Sequence, residues 1–283
     1  MDSRFSRGDE AHDAPQYLHM QSFAPARLQR PRIGPALPDL APRLPLPDPW
    51  FLVPDSATFS AITLDLDDTL WPLRPVLERA EKALAQWFAG RAPRVLQAYP
   101  TRESMWALRT EIVAAMTDGA HDVTRTRHAT VAAALARSDE DPALAGEAMS
   151  VFLAERNAVE PYPDALPALE RIARRYPVAA VSNGNADLER IGIAHLFRFS
   201  HSAADAGVGK PDSAIFLSAV ARLGVRPAEV LHAGDDPDLD VLGAQRAGLA
   251  AAWINRRSAV WDREEAPHQA FADMEALARW LGV

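Results

Sequence analysis

The chain has 283 residues, 48% of them hydrophobic, a formal charge of −8 and no cysteine. That length allows one large or two modest domains around a substantial core, while the missing cysteines exclude disulfides and thiolate metal sites and fit a reducing compartment. The acidic balance argues against a nucleic-acid binder, and no apolar run reaches the ~18 residues of a membrane span or resembles a signal-peptide core, so the expected location is cytoplasmic.

Ten of the 23 prolines precede residue 55, several spaced as in Pro42-Arg43-Leu44-Pro45-Leu46-Pro47. Such a stretch favours polyproline II or disorder and builds no core, so residues 1–54 read as an unstructured leader. A docking ligand for a protein partner is the functional alternative. Ile62-Thr63-Leu64 then reads as a buried strand that ends in Asp65, Leu66, Asp67 and Asp68. Side chains alternate along an extended backbone, so Asp65 and Asp67 point to the same side. Two like charges buried there are costly unless a cation or a shared proton compensates.

From Pro72 to Glu160 the apolar period becomes helical, with Val76, Ala80, Leu84 and Phe88 in a first helix and Met105, Leu108 and Ile112 in a second. Asp122 is the expected N-cap of a third helix running to Leu135, and a fourth covers 143–154. Strands and helices alternate afterwards. Helices are expected at 164–175, 186–191, 213–223, 239–247 and 274–281, and strands at 177–181, 197–201, 230–233 and 251–254. Pro211 suits the first position of the helix over 213–223. The expected architecture is α/β: a doubly wound parallel sheet from 55–71 and 161–283, interrupted by an all-helical insert over 72–160.

Ligands of such a sheet bind outside the carboxyl ends of its strands. Asp65, Ser182 and Asp235 each sit at such an end, and Lys210 sits in the loop Gly207-Val208-Gly209-Lys210-Pro211-Asp212. Acids and other oxygen donors suit a hard cation such as Mg²⁺, while an ammonium and loop amides suit phosphate oxygens. Together they describe a magnesium-dependent phosphoryl-transfer site.

Four segments, Asp65–Thr69, Ser182–Asn185, the Lys210 loop and Gly234–Asp240, resemble in order and context the four motifs of the haloacid dehalogenase-like phosphohydrolases. The resemblance covers roughly residues 60–256 and implies a helical cap over the active site. It gives Asp65 the role of nucleophile, forming an aspartyl-phosphate. Asp67 carries the proton for the leaving alkoxide, and the resemblance also makes its backbone carbonyl a metal ligand. Asp65 and Asp235 complete the metal site, with Asp240 as a ligand or an acid behind it. Ser182 and the Asn183 amide hold a phosphoryl oxygen, Lys210 neutralises the phosphate and Asp65, and Thr69 braces the Asp67 loop by a side-chain-to-backbone bond.

These motifs grip only the phosphoryl group, so discrimination belongs to the cap. Asp65–Pro75, with Trp71, and His121-Asp122-Val123-Thr124-Arg125 resemble bacterial flavin mononucleotide phosphatases, which also take 5-amino-6-(5-phospho-D-ribitylamino)uracil in riboflavin biosynthesis. On that reading a flat ring stacks on Trp71 or Trp106, and His121 and Arg125 meet its polar edges. The other readings are a sugar-phosphate phosphatase, a phosphomutase, a 2-haloacid dehalogenase or a non-catalytic interaction module. A dehalogenase has no leaving alkoxide to protonate, so Asp67 speaks against it.

Overall fold

The computed structural model describes residues 59–283, so the expectation for the 1–54 leader falls outside the described residues. Ala61–Leu64 forms β1, buried along its whole length. Val178–Ser182 (β2), Phe199–Ser202 (β3), Val230–Gly234 (β4), Ala250–Ile254 (β5) and Gln269–Phe271 (β6) join it in one sheet of order β3-β2-β1-β4-β5-β6. Every pairing is parallel. Fully buried, near-continuous apolar strands are what a parallel sheet covered on both faces requires.

Alternation along β1 sends Ile62 and Leu64 to one face and Ala61 to the other. The first face packs on Ala165–Arg175 (α6) and Met274–Trp280 (α11). In α6 the buried residues are Ala165, Ala168, Leu169 and Ile172, the i, i+3, i+4, i+7 stripe of an amphipathic helix. The second face packs on Ser213–Leu223 (α9) through Ile215, Phe216 and Val220. Each fully buried Leu, Ile or Phe contributes roughly 1.5–3 kcal/mol relative to exposure.

Between β1 and α6 lie Leu73–Arg91 (α1), Pro93–Ala98 (α2), Arg102–Ala115 (α3), Val123–Arg137 (α4) and Ala145–Arg156 (α5). They share a separate apolar cluster that includes Leu84, Phe88, Leu108, Leu135, Met149 and Phe152. Asp122 caps α4 as expected, accepting from the Thr124 and Arg125 amides at 2.9 Å.

Three local expectations are corrected. The helix expected over 239–247 is a π-helical turn, Pro237–Leu242, followed by the short α10, Gly243–Arg246, with α7 (Leu188–Ile191) and α8 (Ala203–Ala206) similarly brief. Pro211 does not open α9, because Asp212 takes the cap by accepting from the Ala214 amide at 2.8 Å. Strand β6 and helix α2 have no counterpart in the sequence reading. The first is three half-exposed residues and the second a single Pro-led turn and a half, too short for either period to show.

Candidate active site

The order of the sheet reverses between β1 and β4, and the crevice at their carboxyl ends is where a doubly wound fold binds ligands. Asp65 extends the ladder past β1, its amide donating to the Ala233 carbonyl at 2.9 Å. Asp68 follows with a φ of +57°, a left-handed turn that an Asp tolerates better than most residues. That turn lets the Asp68 amide reach the Trp71 carbonyl at 2.7 Å and brings the Trp71 indole beneath Asp67. Trp71 Nε1 then donates to Asp67 Oδ1 at 2.8 Å. The Trp71 ring is fully buried, so it braces the carboxyl and offers no face for stacking, contrary to the sequence reading.

Lys210 lies between two buried carboxylates, its Nζ donating to Asp65 Oδ1 at 2.5 Å and Asp240 Oδ1 at 2.6 Å. Asp240 is further held by His232 Nε2 at 3.2 Å and by the Asp236 amide at 3.0 Å. The π-helical turn supplies this geometry by widening the backbone so that Asp240 folds back onto the Asp236 amide; such turns often occur at functional sites. Thr63 Oγ1 sits 3.0 Å from His232 Nδ1, and burial lowers the imidazole pKa against the pull of Asp240.

Burial pushes the Asp65 carboxyl up to about 8 against the pull of Lys210, and Asp240 adds to the rise. Burial also disfavours the Lys210 ammonium, but Asp240 and Asp65 outweigh it and hold its pKa above the ordinary lysine range. At Asp240 burial is overcome by Lys210 and His232, which keep that carboxyl well below the usual range. Asp235 is raised well above its ordinary value by burial and by its acidic neighbours Asp240 and Asp65.

One oxygen each from Asp65, Asp235 and Asp240 lies within 4.8 Å of the others. This all-oxygen, charge-excess cluster fits a hard dication better than it fits no ion at all. Thr69 serves it in a way not foreseen: its hydroxyl donates to Asp235 Oδ1 at 3.3 Å instead of bracing the Asp67 loop through the backbone.

The Ser182–Asn185 loop after β2 is tied to the lysine loop. Asn183 Nδ2 donates to the Lys210 carbonyl at 2.9 Å, and the Lys210 amide returns a bond to Asn183 Oδ1 at 2.7 Å. Ser182 Oγ accepts from the Gly184 amide at 3.0 Å. Gly184 must lack a side chain, because a Cβ there would lie 2.6 Å from Asp67 Oδ2 and 3.3 Å from Ser182 Oγ. Gly184→Ala is therefore expected to lower kcat by roughly 10- to 100-fold, since displacing a reacting group by ~1 Å costs about that much. Overpacking should cost about 1–3 kcal/mol in the same variant, checked by thermal melting beside steady-state kinetics.

Of the cap residues, His121 walls a cavity of about 600 Å³ together with Thr124, Asn183, Gly184, Asp187 and Phe199. Arg125 lies outside that wall, exposed, with Nη2 on Asp118 Oδ1 at 2.9 Å. Trp106 is half-buried in α3, with the Arg109 guanidinium 5.5 Å from its ring centre.

The sequence reading missed Arg156. It ends α5, is 2% exposed, and its Nη2 donates to Asp67 Oδ1 and Oδ2 at 2.9 and 2.7 Å. The signal was present: Met149, Phe152 and Arg156 share the i, i+3, i+7 stripe that α5 buries, and an arginine on an apolar stripe calls for a partner. Arg127 of α4 stacks 3.9 Å over Phe152, one turn from Arg156. Burial, with Arg109 and Arg156 against the pull of Glu81, lowers its pKa to about 10, so the cap presents crowded positive charge.

Comparison with known proteins agrees with this geometry. Residues 59–248 match the family described as haloacid dehalogenase-like hydrolase. The chain is 33% identical over 226 residues to the 5-amino-6-(5-phospho-D-ribitylamino)uracil phosphatase YigB of Escherichia coli, covering 77% of this chain and 94% of that one. It is 34% identical over 150 residues to the phosphoserine phosphatase of Thermus thermophilus, covering 51% and 60%. A solved 2-haloacid dehalogenase from Pseudomonas syringae superimposes with a TM-score of 0.75 at 35% identity, covering 79% of this chain and 98% of that one. The relatives span most of the chain and the residues of all four motif segments meet in one crevice; the chain belongs to the haloacid dehalogenase-like hydrolases, as a phosphoric monoester hydrolase.

Proposed function

We propose that the protein is a Mg²⁺-dependent phosphatase of flavin mononucleotide, 5-amino-6-(5-phospho-D-ribitylamino)uracil or both, acting through an aspartyl-phosphate. The observation that carries the chemistry is the placement of Asp65 at the end of β1, in contact with Lys210 and within reach of Asp235. Asp65 attacks phosphorus, and the leaving oxygen takes a proton from Asp67. Asp67 then accepts a proton from the water that hydrolyses the acyl-phosphate. Lys210 neutralises charge on the transferred group, Ser182 and Asn183 orient it, and residues 72–160 act as the cap that shuts out bulk water.

Asp65 and Asp235, with the Asp67 carbonyl, would hold Mg²⁺, which would neutralise phosphoryl charge when bound. Asp240 is better suited to anchoring Lys210, because its two oxygens already accept from Lys210, His232 and the Asp236 amide. The substrate rests on the likeness to the Escherichia coli phosphatase and on His121 in the cavity wall beside the Ser182–Asn185 loop.

The decisive experiment measures phosphate release from a metabolite panel with Mg²⁺. Flavin mononucleotide or the ribitylaminouracil phosphate should lead; a sugar phosphate preferred by more than about tenfold would overturn the substrate but leave the phosphatase. Chelator should abolish turnover, and Ca²⁺, with its looser and larger coordination, should inhibit. Asp235→Asn should raise the Mg²⁺ needed by about tenfold or more, read from metal titrations of activity. The structural likeness to a 2-haloacid dehalogenase supports one rival, tested by chloride release from 2-chloropropionate.

A further inference from the structure

Asp67 carries the proton of the proposed reaction, and its partners, the Trp71 indole and the Arg156 guanidinium, are both donors. Arg156 is fixed with unusual care for a residue at a helix end. Its Nε donates to Asn185 Oδ1 at 3.1 Å, and Asn185 Nδ2 donates in turn to Thr124 Oγ1 of α4 at 3.0 Å. The next residue, Asn157, accepts the Asp187 amide at 2.8 Å, pinning the end of α5 to the loop after β2.

One nitrogen of this guanidinium is left over. Arg156 Nη1 is buried with no hydrogen-bond partner, while Nη2 of the same group is engaged by Asp67. A buried, unpaired donor on a charged group is costly, and such orphans mark places where a ligand completes the bonding. Asp65 and Asp67 are themselves 7% and 6% exposed, so Arg156, at 2%, lies among residues as a group nearly closed to solvent.

We propose that Arg156 is a catalytic residue that receives the leaving oxygen: Nη1 donates to the ester oxygen departing from phosphorus, while Nη2 aims Asp67 at that same atom. The inference rests on the phosphatase reading. In the step, an Asp65 oxygen bonds to phosphorus and the ester P–O bond breaks with its electron pair on the leaving oxygen. That oxygen takes the Asp67 proton. Arg156 stays protonated throughout and only donates hydrogen bonds, stabilising charge that appears as the bond breaks.

Such a donor matters most when the leaving group is a strong base. The test is kcat/KM at saturating Mg²⁺ for ethyl phosphate, phenyl phosphate and p-nitrophenyl phosphate, with wild type, Arg156→Gln and Arg156→Lys. This ratio reports leaving-group departure, because hydrolysis of the shared phosphoenzyme comes later. Arg156→Gln should lose roughly 100- to 1000-fold on ethyl phosphate and under about tenfold on p-nitrophenyl phosphate. Arg156→Lys keeps the buried charge, so it carries the comparison if the Gln variant folds poorly; it should fall between the other two proteins. Equal losses on all three esters would overturn the inference, making Arg156 a structural tie alone. A wild-type protein that hydrolyses none of the three would instead bring down the phosphatase reading, and this inference with it.

Discussion

Asp65→Asn is expected to lower kcat on any phosphate monoester by about 10⁴-fold or more, because it replaces the carboxylate that attacks phosphorus in the proposed route by a poorly nucleophilic amide. The fold should survive the change. Burial pushes the Asp65 carboxyl up to about 8, so at neutral pH the folded protein carries a carboxyl that prefers to be uncharged, and a neutral amide of the same size relieves that cost. The melting temperature should therefore stay level or rise while turnover disappears. Phosphate release, thermal melting and mass spectrometry of acid-quenched protein check the three parts together. Turnover within tenfold of wild type, or a phosphorylated residue other than Asp65, would end the covalent assignment.

Lys210→Met should damage both activity and stability. Its Nζ bridges Asp65 and Asp240, and both carboxyls are buried, so deleting the ammonium leaves the Asp240 carboxylate buried without its counter-charge. Removing one partner of a buried ion pair costs about 3–5 kcal/mol, a fall of very roughly 10 °C in melting temperature for a protein of this size. The loss should depend on pH in a definite direction. Lys210 is the largest influence holding the Asp240 carboxyl below its ordinary range against burial, so without the ammonium its folded-state value rises. Over the pH range where the folded variant binds that proton and the folded wild type does not, the variant recovers stability as pH falls. The deficit of the variant should therefore shrink as pH is lowered. Turnover should fall about 1000-fold, as when a preorganised charge is removed from a developing anion. A variant with wild-type melting and a flat pH dependence would show that Lys210 is not the bridge between these acids.

The readable parts of the chain were those where one local rule dominates. Strands β1, β2, β4 and β5 are continuous apolar runs, and α9 has its apolar residues on one helical stripe, so period and length identified them. Where two rules competed, the reading slipped. The stretch 237–247 has helical composition, but the Asp236 side chain caps Asp238 and Leu239, and the widened turn that follows lets Asp240 reach Lys210. Arg125 shares a cap segment with His121, and its guanidinium pairs with Asp118.

The sequence by itself determined which acids and which lysine the fold gathers in one crevice. Strand-end acids at i and i+2, a lysine in a glycine-framed loop and an acid-rich turn after an apolar strand are local facts, and in a parallel sheet every strand end opens on the same edge. Only the tertiary structure decided how those groups divide their work. Whether Asp240 ligates a metal or holds Lys210 depends on which donors reach its oxygens across a sequence separation of 30. Arg156 meets Asp67 across 89 residues, and Asn183 meets Lys210 across 27. Such partnerships form because a buried charge must find a counter-charge or donor wherever packing brings one near, and packing is a property of the whole chain.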